Sequence, residues 1–371
     1  MYNINHRDNV SFIGIPAQLP FDIPIFIRLA VACYLKKIEN MKVIQEEALM
    51  ANTTQNTFIE EYGTAPWSVL HPFSTEDQVV MTAMRTIVTP NKGKLQGPAA
   101  RVPYDAIMGR VAAPVGVVYE AERVGGVSGW WCLPEDARPN QAVMHIHGGW
   151  FTFGSAQAFR HFAGHIAAHA GVATFVPDYR LAPEDPFPAA AEDVRACFLG
   201  LTERGFSKIA ITGDSAGGNL ALELLVHLAS NNDAYSKALV GGVALSPVTD
   251  LSLSGKSWST RADADPLFTQ PQAAGLVHSY LAEHDALDPL ASPLYADLKG
   301  LVPIRVHVGD DEVLLDDSVR FIARAVAAGV DARLDVWEGM IHGFLGSVGS
   351  LAASEEALQL VGEFLTDRFA G

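Results

Sequence analysis

From about Val115 to the C-terminus the chain repeats one pattern: a short apolar run, a turn, then a helix. The runs are Ala142 to Ile146, Val172 to Val176, Lys208 to Thr212, Val243 to Leu245, Ile304 to Val308 and Leu334 to Trp337. Short, near-continuous apolar strands alternating with helices imply a parallel sheet covered on both faces. Between the runs read a helix that Ser155 can cap and Gly171 ends, one near Ala189 to Leu201, and one from Ser215 to Ala229. A further helix has Gly329 just past its end, and the last carries Phe364 and Phe369. Val115 to Tyr119 and Val127 to Leu133 read as an antiparallel pair joined through Arg123-Val124-Gly125-Gly126. In open α/β sheets ligands bind at the carboxyl ends of the strands, so chemistry is to be sought directly after each run.

Composition narrows the function. Of 371 residues 49% are hydrophobic and 18% charged, which excludes a disordered chain, and the length allows one large domain or two. Lys and Arg total 26 against 42 Asp and Glu, a net charge of −16, with no basic run to offset it. Phosphate backbones and anionic lipid repel such a chain, so no nucleic-acid partner is expected. Cys33, Cys132 and Cys197 are odd in number and lack metal-ligand spacing, which suggests buried thiols in a reducing compartment. The apolar stretch Ile23 to Leu35 is interrupted by Arg28 and is shorter than the roughly 20 residues a membrane span needs. Asp22 before it and Lys36-Lys37 after it are the wrong flanks for a secretory signal. The expectation is a soluble cytoplasmic protein with no stable membrane insertion.

Residues 1–112 have a different character. Leu29, Tyr34, Ile38, Met41, Ile44 and Leu49 recur at mostly helical spacings, clean strand alternation is lacking, and Thr89 to Pro98 reads as a loop. The boundary expected is therefore a helical segment and linker over 1–112 and a sheet-based domain over 113–371.

Gly213-Asp214-Ser215-Ala216-Gly217 stands directly after one strand and directly before a helix, the context a G-x-S-x-G nucleophile elbow requires. The sharp turn exposes a serine hydroxyl at the top of the sheet, beside a helix N-terminus that favours developing negative charge. His147-Gly148-Gly149-Trp150 follows an earlier strand, where glycines can turn backbone N–H groups towards a tetrahedral oxyanion. The amides of Gly148, Gly149 and Ala216 are the candidate donors. A serine needs a base, and the base an orienting carboxylate, in the chain order Ser, Asp or Glu, His. Of the histidines after Ser215, only His342 sits on a loop after a strand flanked by glycines; His227, His278, His284 and His307 do not. For the acid, Asp310, Asp311, Glu312 and Asp316 crowd the loop after Ile304 to Val308, and spacing does not choose among them. His161, His165 and His169 share one helix face at spacings that suit a metal, but no Cys or carboxylate cluster accompanies them.

Taken together these motifs resemble the hormone-sensitive lipase family of α/β-hydrolases, in its bacterial esterase branch. The resemblance covers about two thirds of the chain. It rests on the two motifs above and on Asp178-Tyr179-Arg180-Leu181-Ala182-Pro183-Glu184, Ser246-Pro247, Gly309-Asp310-Asp311-Glu312-Val313-Leu314 and His342-Gly343-Phe344. It implies the α/β-hydrolase fold, a mostly parallel sheet flanked by helices, with Ser215 as nucleophile, Asp311 as acid and His342 as base. It also implies an N-terminal helical cap, with which the apolar pattern at 23–50 agrees, and a second cap piece near 250–285. The DYRLAPE stretch and His147 are expected to support the site.

The activity expected is carboxylic-ester hydrolysis through an acyl-enzyme, with no cofactor and no metal; the resemblance implies small-molecule esters of short to medium chain, with lactones and aryl esters as open alternatives. The competing readings are an amidase or acyltransferase with the same triad, an interfacial lipase, and an inactive ligand-binding receptor on the same scaffold. Ala332 to Trp337 alternates apolar and polar residues as an edge strand does, which makes a homodimer through that edge the oligomer to test.

Overall fold

The computed structural model describes residues 57–231 and 235–371. The chain divides at Gly63 into two units. In the first, helix α1 (Thr57–Tyr62) stacks the rings of Phe58 and Tyr62 at 5.1 Å. The apolar pattern at 23–50, the stretch Ile23 to Leu35 and Cys33 lie outside the described residues.

The second unit, Thr64 to Gly371, begins with β1 (Ser68–His71), α2 (Thr75–Val88) and α3 (Arg101–Met108). The strands that follow are β2 (Val117–Val124), β3 (Val127–Pro134), β4 (Gln141–Ile146), β5 (Ala173–Pro177), β6 (Lys208–Asp214), β7 (Leu239–Leu245), β8 (Ile304–Gly309) and β9 (Ala332–Trp337). The helices that follow are α4 (Ala156–Ala170), α5 (Ala189–Glu203), α6 (Ala216–Asn231), α7 (Ser257–Thr260), α8 (Gln270–Leu281), α9 (Leu315–Ala327) and α10 (Ala352–Ala370). Among the described residues one nine-stranded sheet forms, ordered β1-β9-β8-β7-β6-β4-β5-β3-β2. Its neighbours are parallel except where β3 meets β2 and β5. This is the α/β-hydrolase architecture, with helices on both faces.

Local chemistry explains the elements. The Gly125-Gly126 turn carries positive φ at both residues (59° and 84°), so β2 runs on to Val124 and the hairpin turn is two residues long. The Ser155 side chain accepts the Ala158 N–H to start α4, and Gly171, left-handed at φ 63°, ends it. Strands β4 to β8 are almost wholly buried, with Val143, Ile211, Ala244 and Val306 in the core.

Two expectations are corrected here. Ala332–Trp337 is not an edge, because β1 pairs with it in parallel register, Ser68 opposite Leu334 and His71 opposite Trp337. The rings of His71 and Trp337 stack at 3.8 Å. A four-residue strand is too short to show alternation, which is why the N-terminal region read as strandless. The edges of the sheet are β1 and β2, so the edge that suggested a homodimer is already occupied within the chain.

The order also shows where a site can form. From β4 the chain moves to β5 on one side, and then returns to β6 on the other. That reversal opens a crevice at the carboxyl ends of β4 and β6, whose last paired residues are Ile146 and Gly213. The two glycine motifs leave the sheet at those two points.

Candidate active site

Ser215 stands between β6 and α6 with φ 55°, a conformation that costs a non-glycine residue on the order of 1–3 kcal/mol. Its surroundings enforce it. The Ser215 N–H donates to the Leu245 carbonyl at 2.8 Å, and its own carbonyl accepts from Asn219 and Val248. A Cβ on Gly217 would lie 2.0 Å from the Ile146 carbonyl oxygen, so only glycine lets the elbow close onto β4.

The loop after β4 is equally constrained. Gly149 (φ 121°), Trp150 (52°) and Phe151 (58°) are consecutive positive-φ residues. A Cβ on Gly149 would meet the Phe153 carbonyl at 2.4 Å. The Gly148 N–H donates to Oδ1 of Asp214 at 3.0 Å, so one of the three amides suggested by sequence already has an acceptor. The Gly149 amide has none among the described residues, and the Ala216 amide sits at the first turn of α6. Buried His147 stacks on Tyr179 at 4.3 Å and hydrogen-bonds the Gly148 carbonyl through Nδ1 (2.9 Å), while the Tyr179 hydroxyl donates to the His147 carbonyl. Burial lowers the His147 pKa, keeping this imidazole neutral.

On the far side, Nδ1 of His342 lies 2.8 Å from Oε2 of Glu312. Glu312 is fully buried, and its other oxygen accepts from Ser246 Oγ and the Gly309 N–H, both at 2.7 Å. Burial alone would lower the His342 pKa; the Glu312 hydrogen bond and charge, with Asp265 and Asp214, outweigh it and hold it above the ordinary imidazole value. Ser215 and His342 line one cavity of about 30 Å³, walled by Met108, Phe159, Phe162 and Leu345.

The carboxylate that reaches His342 is therefore that of Glu312, and the expectation of Asp311 is corrected. Asp311 turns outward to an ion pair with Arg85 of α2. Asp310 turns back to accept the Gly339 N–H at 2.6 Å. Asp316 accepts the Ser257 N–H at 3.0 Å. Of these only the third residue after β8 reaches His342, and its extra methylene gives it that reach. Ser246 was visible in the Ser246-Pro247 pair, but no sequence signal tied it to the acid. Phe268 was not singled out; its ring meets His342 at 5.0 Å and Trp150 at 5.5 Å, both edge-to-face.

The helical histidines have structural partners. His161 Nδ1 lies 2.9 Å from the Val111 carbonyl and His165 Nε2 lies 2.8 Å from that of Ala112. Cys132 and Cys197 are buried. No helix among the described residues is long and apolar enough to cross a membrane.

Residues 143–346 match the family described as the alpha/beta hydrolase fold. An acetyl-hydrolase of Streptomyces hygroscopicus is 33% identical over 270 residues, which span 71% of this chain and 88% of that protein. An esterase of Acinetobacter venetianus is 32% identical over 284 residues, 76% of this chain and 92% of that one. The crystal structure of an esterase from the bacterial hormone-sensitive lipase family matches with TM-score 0.74 at 36% identity, covering 80% of this chain and 99% of that chain. The chain belongs to the alpha/beta-hydrolase fold family, in its hormone-sensitive-lipase-like branch. Within that family it is a carboxylesterase-type hydrolase.

Proposed function

We propose that this protein hydrolyses small carboxylic esters of short acyl chain through an acyl-enzyme, with Ser215 as nucleophile, His342 as base and Glu312 as the acid that orients it. The observation that carries this reading is the bond from Glu312 to Nδ1 of His342, on a ring that shares its cavity with Ser215. With Nδ1 engaged, Nε2 remains to take the Ser215 proton as Oγ attacks the ester carbonyl. The tetrahedral oxyanion accepts from the amides of Gly149 and Ala216, each such donor being worth roughly 3–4 kcal/mol of barrier. Collapse breaks the C–O bond, and His342 returns its proton to the leaving alcohol. Water then repeats the sequence on the acyl-enzyme, releasing the acid and restoring Ser215.

The apolar walls of that cavity suit the alkyl part of a small acyl group. The segments 75–108 and 255–272 act as the cap. Lys92 Nζ bonds the Asp265 carbonyl, the Gly93 N–H bonds Leu267, and Gln272 Nε2 bonds Leu95, joining the two stretches beside the site.

The test is mass spectrometry of the intact protein after an organophosphonate pulse, followed by peptide mapping. A single adduct on Ser215 is the expected result; a folded protein with no adduct would mean that no activated serine is present. The pH profile gives a second check. The base must be neutral to accept a proton, and its pKa is raised, so the acid limb of kcat/KM is expected above the ordinary imidazole value of 6.5. A limb at or below that value would remove Glu312 as the charge that sets it.

A further inference from the structure

The strained loop that carries the Gly149 amide is held from outside the sheet by one face of α3. Arg101, Tyr104, Asp105 and Met108 stand at i, i+3, i+4 and i+7, so they share a face; they are partly buried, while Val102, Pro103, Ala106 and Ile107 face solvent. Each of the four meets the 149–153 loop, the helix start that follows it or the cavity of Ser215 and His342. The Tyr104 ring packs on that of Phe153 at 5.6 Å, Asp105 accepts the Ser155 hydroxyl at 2.8 Å, and Met108 lines the cavity of Ser215 and His342.

Arg101 makes the directional contacts. Its Nε donates to the Thr152 carbonyl and its Nη2 to the Ala182 carbonyl, both at 2.9 Å. The same guanidinium pairs in bidentate fashion with Glu184, at 3.0 and 2.6 Å. The Ala182 N–H in turn donates to the Phe151 carbonyl at 2.9 Å. One planar, permanently charged group thus closes a ring of bonds around Phe151 and Thr152, where the run of three positive-φ residues ends. Within the loop itself, the bonds that oppose its relaxation are those of the Thr152 and Phe153 amides to the Gly149 carbonyl and that of the Thr152 hydroxyl to the Trp150 carbonyl.

We propose that Arg101 is a positioning residue for ester hydrolysis: it holds the 149–153 loop so that the Gly149 amide points at the oxyanion. The proposal rests on the hydrolase reading above. It assigns to α3, between β1 and β2, a part in transition-state stabilisation beyond covering the site. It also explains why Arg101 opens a short helix instead of lying in its exposed face: from the first turn the side chain spans the gap between the 152 and 182 carbonyls.

The test uses the full chain with Arg101→Met, which keeps the apolar stem and removes every donor, and Arg101→Lys, which keeps the charge and one point of attachment. Two quantities are read: steady-state kinetics on p-nitrophenyl acetate, and affinity for an aryl trifluoromethyl ketone, which Ser215 converts into an oxyanionic hemiketal. A misplaced reacting group of about 1 Å costs about 10²-fold, so R101M is expected to lose about that factor in kcat with KM within about threefold. The ketone should weaken by the same factor as kcat/KM, and R101K should fall between R101M and the parent in both. Loss of a merely structural contact would lower the melting temperature without this match between inhibitor affinity and rate. Unchanged kcat in R101M overturns the proposal, as does a fall in kcat with unchanged ketone affinity. If R101M does not fold, R101K with the parent's ketone affinity overturns it as well. Absence of phosphonate labelling on Ser215 of the parent protein would instead overturn the hydrolase reading.

Discussion

Ser215→Ala is expected to reduce kcat on an activated acetyl ester by about 10⁶, the size seen when a triad nucleophile is removed, while the protein stays folded. The separation of these two effects follows from the elbow. The backbone of Ser215 is tied to Leu245, Asn219 and Val248, and none of those bonds uses the hydroxyl. Alanine pays the same cost of φ 55° that serine already pays, so the thermal midpoint should stay within a degree or two of the parent's. What remains after the substitution is binding and the oxyanion amides, expected to leave roughly 10³–10⁴ over water. Turnover by S215A within tenfold of the parent would remove Ser215 from the mechanism. A large fall in the midpoint would show that the hydroxyl has a structural role missing from the bonds above.

The central sheet was legible because each of its strands after the hairpin is buried on both faces and each is followed by a helix, so periodicity alone carried the parallel architecture. The elbow and the His147-Gly148-Gly149 loop were legible for a steric reason. Glycines are required where a Cβ would strike the carbonyl of Ile146 or Phe153, and such requirements leave a mark at fixed spacing. Strand β1 was not legible: Ser68 to His71 joins the sheet through a neighbour more than 260 residues away, and four residues carry no period. The acid was misread for a related reason. Asp310, Asp311 and Glu312 are chemically alike in sequence, and what distinguishes them is which way a tight turn points each side chain. The bond from Asp311 to Arg85 and that from Asp310 to Gly339 depend on elements brought in from both ends of the chain. Likewise, the bond from the Gly148 amide to Asp214 of the elbow joins two loops that no spacing in the sequence connects.

Glu312→Gln is expected to lower kcat by about 10³–10⁴, whereas Asp311→Asn should stay within about tenfold of the parent. The first figure follows from the bonding of the buried carboxylate. Oε1 accepts from Ser246 and from the Gly309 N–H, which is a donor only. A glutamine must therefore turn its oxygen towards Gly309 and its amide NH₂ towards His342. That NH₂ is a donor, so Nδ1 must become the acceptor and the ring proton moves to Nε2. In that tautomer Nε2 faces Ser215 already protonated and takes no proton from it. The negative charge that holds the His342 pKa up is lost as well, so whatever activity remains should show its acid limb at lower pH than the parent. Asp311 has neither connection. Its carboxylate is 30% exposed and paired with Arg85, so its loss should be felt mainly as a modest change in stability where α2 meets the 310–312 loop. Steady-state kinetics on the two variants over a range of pH separates the assignments. If D311N were the crippled enzyme and E312Q the active one, the acid would return to Asp311, and the turn after β8 would have to rearrange in the working enzyme to bring it to His342.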